Sequence, residues 1–418
     1  MTRPTSLTEL ARRILESAER IEGKVDGEVD GKHARQDLVE AVREMQLSTT
    51  GPSELLEQHQ MHYQSLSCLG WLIHFNIFTH VPVDLTPIAY TDLAAAAQVP
   101  LARLQSVARM AMTSSLFAEP APTHIAHSAL SASFAADPHL RHWARFMTSY
   151  SAPTAAAFAE ATARWGETTA KNETAYNVAF GTSLPFFAHV KESPGMAELF
   201  AAYMRSQGQS EGGRLTHLVD GFDWGGLDEG AQVVDVGGST GQASIALAAA
   251  YPGLHFTVQD LPETIASAPA ALSALPAPVA ARLRFAAHDF FAPQPAPQSG
   301  RAPDIYLLRK ILHDWPVARA RDILDRLAVA LRDGGNPRAR LVVMDTILPP
   351  PGAVGRLQEA GLRVRDLTMA QSFNSKEREL AEWEELFASA EPKLRLRAWK
   401  QPYGSTMAVM EVGLDGCD

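Results

Sequence analysis

The run QVVDVGGSTGQASIALAAAYPGLHFTVQDLP, residues 232 to 262, constrains the fold more than any other part of the chain. It reads as strand, glycine turn, helix, strand. Val233 to Val236 is a short apolar strand, and Gly237, Gly238 and Gly241 form a tight turn. Ala243 to Ala250 is a run of strong helix formers, and His255 to Gln259 is a second strand with Asp260 at its end. That order predicts a βαβ nucleotide cradle, and hence an α/β fold. Glycines let backbone approach a bound molecule closely. A carboxylate closing the second strand can take both hydroxyls of a ribose.

The spacing of the glycines selects among nucleotides. A dinucleotide fingerprint needs G-x-G-x-x-G, but its second glycine position is occupied here by Ser239. An acid, Asp235, instead precedes Gly237 by two residues. The resulting acid-x-G-G-x-x-G form favours S-adenosylmethionine (SAM) over NAD. SAM has an amino-acid tail and no pyrophosphate to seat on a helix N-terminus.

A second motif, DIYLLRKILHDWP, runs from Asp304 to Pro316. Ile305 to Leu308 continues the sheet as a buried strand. His313, Asp314 and Trp315 follow near its C-terminal end, where open α/β sheets bind ligands. With VVDVGGSTG, FTVQDLP, HDFF (288–291), LLRKILHDW, MDTILP (344–349) and NSKER (374–378) in this order, the chain resembles the class I, SAM-dependent O-methyltransferases of the caffeic-acid type. The likeness is greatest to the fungal secondary-metabolite members. It implies a doubly wound, seven-stranded, mostly parallel SAM-binding sheet with an α-helical, winged-helix-like N-terminal dimerisation domain. The final strands, LRLRAW (394–399) and TMAVMEV (406–412), are expected to pair antiparallel at one edge.

Methyl transfer from a sulfonium needs no metal; it needs an oxygen nucleophile held in line. A phenol with a pKa near ~10 is mostly protonated at neutral pH, so a general base helps, and histidine suits that task. His313 is the expected base. The resemblance supplies its carboxylate partners: Glu377 matches directly, and Asp345 stands where glutamate is usual. It also places Gly237, Gly238 and Gly241 on the methionine part of SAM, Asp260 on the ribose and Leu261 on the adenine. Asp289 and Phe290 reach the adenine from the other side, and Arg309 replaces a lysine near the ribose or carboxylate. Met204, Asp314, Met369 and Asn374 align with positions that line the substrate pocket. Lys310 occupies a slot where plant members often have an aromatic. Phe180, Phe186 and Phe187 add an aromatic segment in a region that helps cover the substrate in this family. The resemblance thus implies SAM as cofactor, giving S-adenosylhomocysteine (SAH), and no metal is expected.

Residues 1–135 are expected to form the dimerisation domain, 136–215 a helical linker and substrate cover, and 216–418 the catalytic domain. Leu7, Leu10, Ile14, Ala18 and Ile21 keep helical spacing, whereas GKVDGEVDGKHARQ, residues 23–36, reads as a mobile loop. Thr91 to Leu116 reads as two short helices around Gln98-Val99-Pro100, with a β-wing over LFAEPAPTHIAHS, residues 116–128. Residues 91–128 carry only Arg103 and Arg109 as basic side chains beyond histidine. With a net charge of −10, that disfavours a DNA-binding regulator and gives no nucleic-acid or anionic-membrane partner. The family resemblance gives this module dimerisation instead, so a homodimer is expected. Two cysteines, Cys68 and Cys417, make no disulfide framework. The N-terminus is amphipathic rather than a signal core, and a cytoplasmic location is expected. Two enzyme readings remain: methylation of a phenolic or enolic hydroxyl on a small aromatic or polyketide-like substrate, or a SAM-binding pericyclase on the same fold. Retention of His313, Asp314 and Glu377 favours methylation.

Overall fold

A computed structural model describes residues 6–23, 28–266, 272–296 and 300–416. The chain falls into two compact units. One comprises Met1–Ala152 with Pro349–Arg363, the other Pro153–Leu348 with Val364–Asp418. This division cuts the chain at 152, between the two boundaries expected from the sequence.

The first unit opens with α1 (Leu7–Glu22), whose first turn is capped by the Ser6 hydroxyl accepting the Glu9 amide. The expected loop over residues 23–36 is a correction: α2 runs Glu28–Thr49, and residues 24–27 lie outside the described residues, as does Cys417. Tertiary pairing overrides the weak local propensity. Ala34 and Ala41 are buried, Arg13 meets Glu44 at 3.2 Å and Arg20 meets Asp37 at 3.3 Å. Next come α3 (Pro52–His74), β1 (Ile88–Ala89), α4 (Tyr90–Ala96) and α5 (Leu101–Met112). β2 (Ala118–Ala121) and β3 (His124–Ala126) form the hairpin expected there, in a three-stranded sheet of order β1-β3-β2. Leu72, Phe78, Leu93, Leu104 and Ile125 fill the core. Residues 349–363 join this unit partly through Glu40 of α2. Its carboxylate accepts the backbone amides of Leu357 and Gln358 at 3.0 and 3.1 Å.

The second unit begins with short helices, among them α6 (Phe186–Glu192) and α7 (Pro194–Gln209). The cradle follows as read: β4 (Gln232–Val236), α8 (Gln242–Ala250) and β5 (His255–Asp260). Then come β6 (Leu283–Ala287), β7 (Ile305–Arg309), α9 (Val317–Asp333) and β8 (Arg340–Asp345). β9 (Ile347–Leu348), α10 (Arg356–Phe373, of which this unit holds the part from Val364), β10 (Arg378–Glu379), α11 (Leu380–Ala388), β11 (Leu394–Lys400) and β12 (Ala408–Leu414) complete the chain. The seven-stranded sheet has order β11-β12-β8-β7-β4-β5-β6. β8, β7, β4, β5 and β6 are parallel; β12 and β11 pair antiparallel at one edge.

The period-two alternation of a strand divides each one between two cores. Val234, Val236, Tyr306 and Leu308 face the layer of α9 and α11; Val233, Ile305 and Leu307 face that of α8. Strands covered on both faces read as continuous apolar runs, which is how β4 and β7 appear in the sequence. α9 buries Ile323, Leu324, Leu327 and Leu331, each contributing about 1.5–3 kcal/mol. It ends at Gly334, and Gly335 turns the chain at φ +75°. Among the described residues no helix is long and apolar enough to cross a membrane.

Candidate active site

The turn between β4 and α8 is shaped by missing side chains. Gly237 and Gly241 adopt φ of +71° and +76°, a region glycine enters without strain. A Cβ on Gly238 would lie 2.6 Å from the Asp235 carboxyl carbon, and one on Gly237 would lie 2.6 Å from Ile311 Cδ1. Asp235 itself points toward α8, where the Ser244 hydroxyl donates to it at 2.7 Å. Burial pushes this carboxyl up to about 6. At the end of β5, Asp260 accepts the Ser239 amide on Oδ2 and its neighbour Leu261's amide on Oδ1, both at 2.8 Å. These bonds fix the carboxylate and leave it further lone pairs for two hydroxyls. Leu261 is exposed beside it, and a Cβ on Gly237 would stand 3.5 Å from the Phe290 ring. Asp289 places Oδ1 on the Phe291 amide at 2.9 Å, closing its own turn. Arg309, at the end of β7, donates to Gly213 O at 3.0 Å and keeps a buried Nε with no partner among the described residues. A glycine floor, a fixed carboxylate and an unpartnered guanidinium nitrogen fit SAM.

The His313-Asp314-Trp315 motif begins on a short 3₁₀ turn, Leu312–Asp314, directly beyond β7. Four successive carbonyls there each receive a side-chain donor. Arg378 gives Nη1 to Leu312 O at 3.0 Å and Nη2 to Trp315 O at 2.9 Å; Ser375 Oγ gives to His313 O at 2.6 Å. Lys171 Nζ gives to Asp314 O and lies 4.1 Å from the Trp315 ring centroid. Buried carbonyls require such partners. The parallel pairing of β10 with β9, Arg378 opposite Ile347, brings Glu377 beside the end of β8.

His313 is buried, with Nδ1 3.0 Å from Glu377 Oε1 and 3.2 Å from Asp345 Oδ1. Glu377 makes the hydrogen bond. Asp345, for all its proximity, makes none, so its shorter side chain contributes charge rather than a bond. The Glu377 bond, with Asp345 nearby, keeps a hydrogen on Nδ1, so Nε2 is the nitrogen that gains or loses the second proton. Nε2 lies 3.6 Å from Asp314 Oδ1. Burial alone would lower the imidazole's pKa, but Asp345, Glu377 and Asp314 together hold it up at about 10. Burial raises the Asp345 carboxyl to about 6 against the opposing pull of His313, whereas Glu377 is held low. The three groups titrate as a unit.

On the substrate side, Met369 is buried on α10 and Met204 is partly exposed on α7. Both amide hydrogens of Asn374 are spent on Ala170 O and Glu173 O, at 2.7 and 3.1 Å, so this residue straps the loop that carries Lys171. Phe186 and Phe187 pack with Phe200 and Phe373, and Phe180 packs on Tyr176. Lys171, Ser375 and Arg378 escaped the sequence reading. Ser375 and Arg378 flank Glu377 within NSKER, and that adjacency was their available signal; Lys171 had none.

Comparison with known proteins gives the family of the chain. A family model described as an O-methyltransferase domain matches residues 164–391, more than half of the chain. The O-methyltransferase pgmB of Aspergillus terreus is 50% identical over 391 residues, 93% of this chain and 87% of that protein. The O-methyltransferase VdtC of Byssochlamys spectabilis is 46% identical over 381 residues, 91% and 86% of the two chains. Among solved structures, the mitomycin 7-O-methyltransferase MmcR shares the fold at a TM-score of 0.71 and 24% identity, covering 87% of this chain and 97% of its own. LepI in complex with SAM does so at 0.76 and 23%, covering 98% and 100%. The chain therefore belongs to the O-methyltransferase domain family and is a SAM-dependent O-methyltransferase of the fungal secondary-metabolite type.

Proposed function

We propose that the enzyme methylates a phenolic or enolic hydroxyl of a small aromatic, polyketide-like metabolite, with His313 as general base. The observation that carries this is the buried imidazole with two carboxylates at Nδ1 and a proton-accepting Nε2. When bound, SAM supplies a sulfonium methyl group that passes to an oxygen nucleophile and leaves SAH. Gly237, Gly238 and Gly241 back its methionine part, Asp260 holds the ribose, and Leu261, Asp289 and Phe290 border the adenine. Arg309 offers its Nε toward the cofactor's ribose or carboxylate. His313 removes the hydroxyl proton through Nε2. Glu377 orients the ring, and Asp345 steadies the imidazolium. An imidazole near 10 matches a phenol near ~10, so the proton moves between them at little cost. Transfer of a sulfonium methyl group needs no metal, so the cluster of His313, Asp345 and Glu377 serves proton transfer. Met204, Met369, Asp314 and Asn374 border the substrate, beside the aromatic groups of Phe186, Phe187 and Phe373.

The further proposals are architectural. Residues 1–135 serve as a winged-helix-like dimerisation domain, 136–215 as linker and cover, and 216–418 as the catalytic domain of a cytoplasmic homodimer. Leu55, Leu56, Met61 and Tyr63, exposed along α3, support a partner surface. Sedimentation giving a monomer at micromolar concentration would remove the dimer.

The test of function is incubation with methyl-labelled SAM and a panel of phenols. Label passing to a phenol is the expected result, with kcat/KM rising with pH toward about 10, because the imidazolium must lose its proton before it can act. Conversion of a substrate while SAM stays intact would replace methylation with a pericyclic reaction.

A further inference from the structure

Lys310 lies between the two halves of the site, directly after Arg309 and three residues before His313. Its backbone amide still donates to Met344 O at 3.1 Å, extending the β7–β8 pairing. Its φ is +57°, a left-handed conformation that costs a lysine roughly 1–2 kcal/mol. Strain of this kind gathers at functional positions. The side chain is partly buried, and among the described residues its ammonium has no hydrogen-bond acceptor and no carboxylate within 4.0 Å. The charges that reach it come from its own strand end, Arg309, and from four neighbouring segments: Arg365 of α10, Asp345 of β8, Glu377 before β10 and Asp314 of the 3₁₀ turn. Burial and the two guanidinium groups outweigh the carboxylates and bring its pKa down to about 7. Asp345 and Glu377 are the carboxylates that flank His313, so the amine shares the field of the base.

We propose that Lys310 recognises a second oxygen on the substrate, adjacent to the hydroxyl that His313 deprotonates. An unpaired amine held near neutrality gains its charge and its hydrogen-bond acceptor together when an acidic oxygen arrives. The substrate class is then a hydroxyarene bearing a neighbouring hydroxyl or carbonyl, in peri, ortho or β-dicarbonyl relation. One oxygen sits at His313 Nε2, the other at Lys310 Nζ. This rests on the methyltransferase reading above and narrows its substrate.

The test uses full-length protein saturated with SAH, titrated calorimetrically with 1,8-dihydroxynaphthalene and with 1-naphthol. Wild type should prefer the diol roughly tenfold to a hundredfold, the range expected of a hydrogen bond to a charged group. In Lys310→Met that preference should collapse toward unity, and Lys310→Arg should restore most of it. Equal binding of both probes by wild type overturns the proposal, as does a preference that survives in Lys310→Met or a loss of both probes alike. With SAM in place of SAH, a protein that shows the preference but transfers no methyl group to either probe keeps the Lys310 assignment and breaks the methyltransferase reading instead.

Discussion

The cofactor cradle and the catalytic turn follow the ends of neighbouring strands, β4 and β7, and are built in opposite ways. The cradle is local. Asp235 meets Ser244 nine residues on, Ser239 meets Asp260 twenty-one residues on, and glycines keep the floor clear. The catalytic turn is assembled from afar. Ser375, Glu377 and Lys171 reach it from 62, 64 and 143 residues away. A site made by leaving atoms out depends on a few contiguous residues. A site made by bringing donors in depends on the whole second unit being folded.

Substitutions can break that contrast at either end. The largest effect is expected at His313→Ala, which should keep SAM affinity in calorimetry yet lose about 10² to 10⁴ in rate on a phenol. The loss should shrink on a nitrophenol that is already ionised at neutral pH; near-normal turnover on an ordinary phenol would end the general-base account. Asp260→Ala should next weaken SAM binding by about 1.5–3 kcal/mol, as for lost hydrogen bonds to a charged group. Unchanged affinity would remove Asp260 from the cradle. Gly238→Ala drives a methyl group into the Asp235 carboxylate and should cost roughly 1–3 kcal/mol, read as weaker SAM binding or a lower Tm. A variant that binds SAM normally at an unchanged Tm would show that the floor can yield. The smallest effect is expected at Ser375→Ala. Losing one of the turn's donors should cost about 1 kcal/mol and lower kcat more than it raises KM for SAM. A change confined to SAM binding would mean that the two halves are not separately built.

The same contrast explains what the sequence disclosed. The βαβ cradle, its glycines and Asp260 were legible because strand, turn and helix propensities act within a few residues. The edge strands β11 and β12 were legible as well. His313 and Glu377 were recognisable by family likeness, but nothing in a separation of 64 residues says that they touch. Asp345, standing where glutamate is usual, comes within 3.2 Å of Nδ1 without a hydrogen bond, which the sequence alone does not tell. Arg378 looks like a surface arginine in NSKER and is one of the largest fully buried side chains. Lys171 follows an unremarkable stretch of threonines, yet it reaches the carbonyl of Asp314. The first part of α2, residues 28–36, was missed because its helix depends on α1 beside it. Long-range partners leave no periodicity in a single sequence.

The donors around the 312–315 turn carry a consequence for how such a site changes over generations. Four carbonyls are held by three side chains from two distant segments, so losing one donor leaves the others to hold the imidazole. Single substitutions are therefore buffered, while paired ones compound: Lys171 with Ser375 should lose more together than the sum of their separate losses. The order in which substitutions accumulate then decides which of them survive, and the position of the base records a history as well as a geometry.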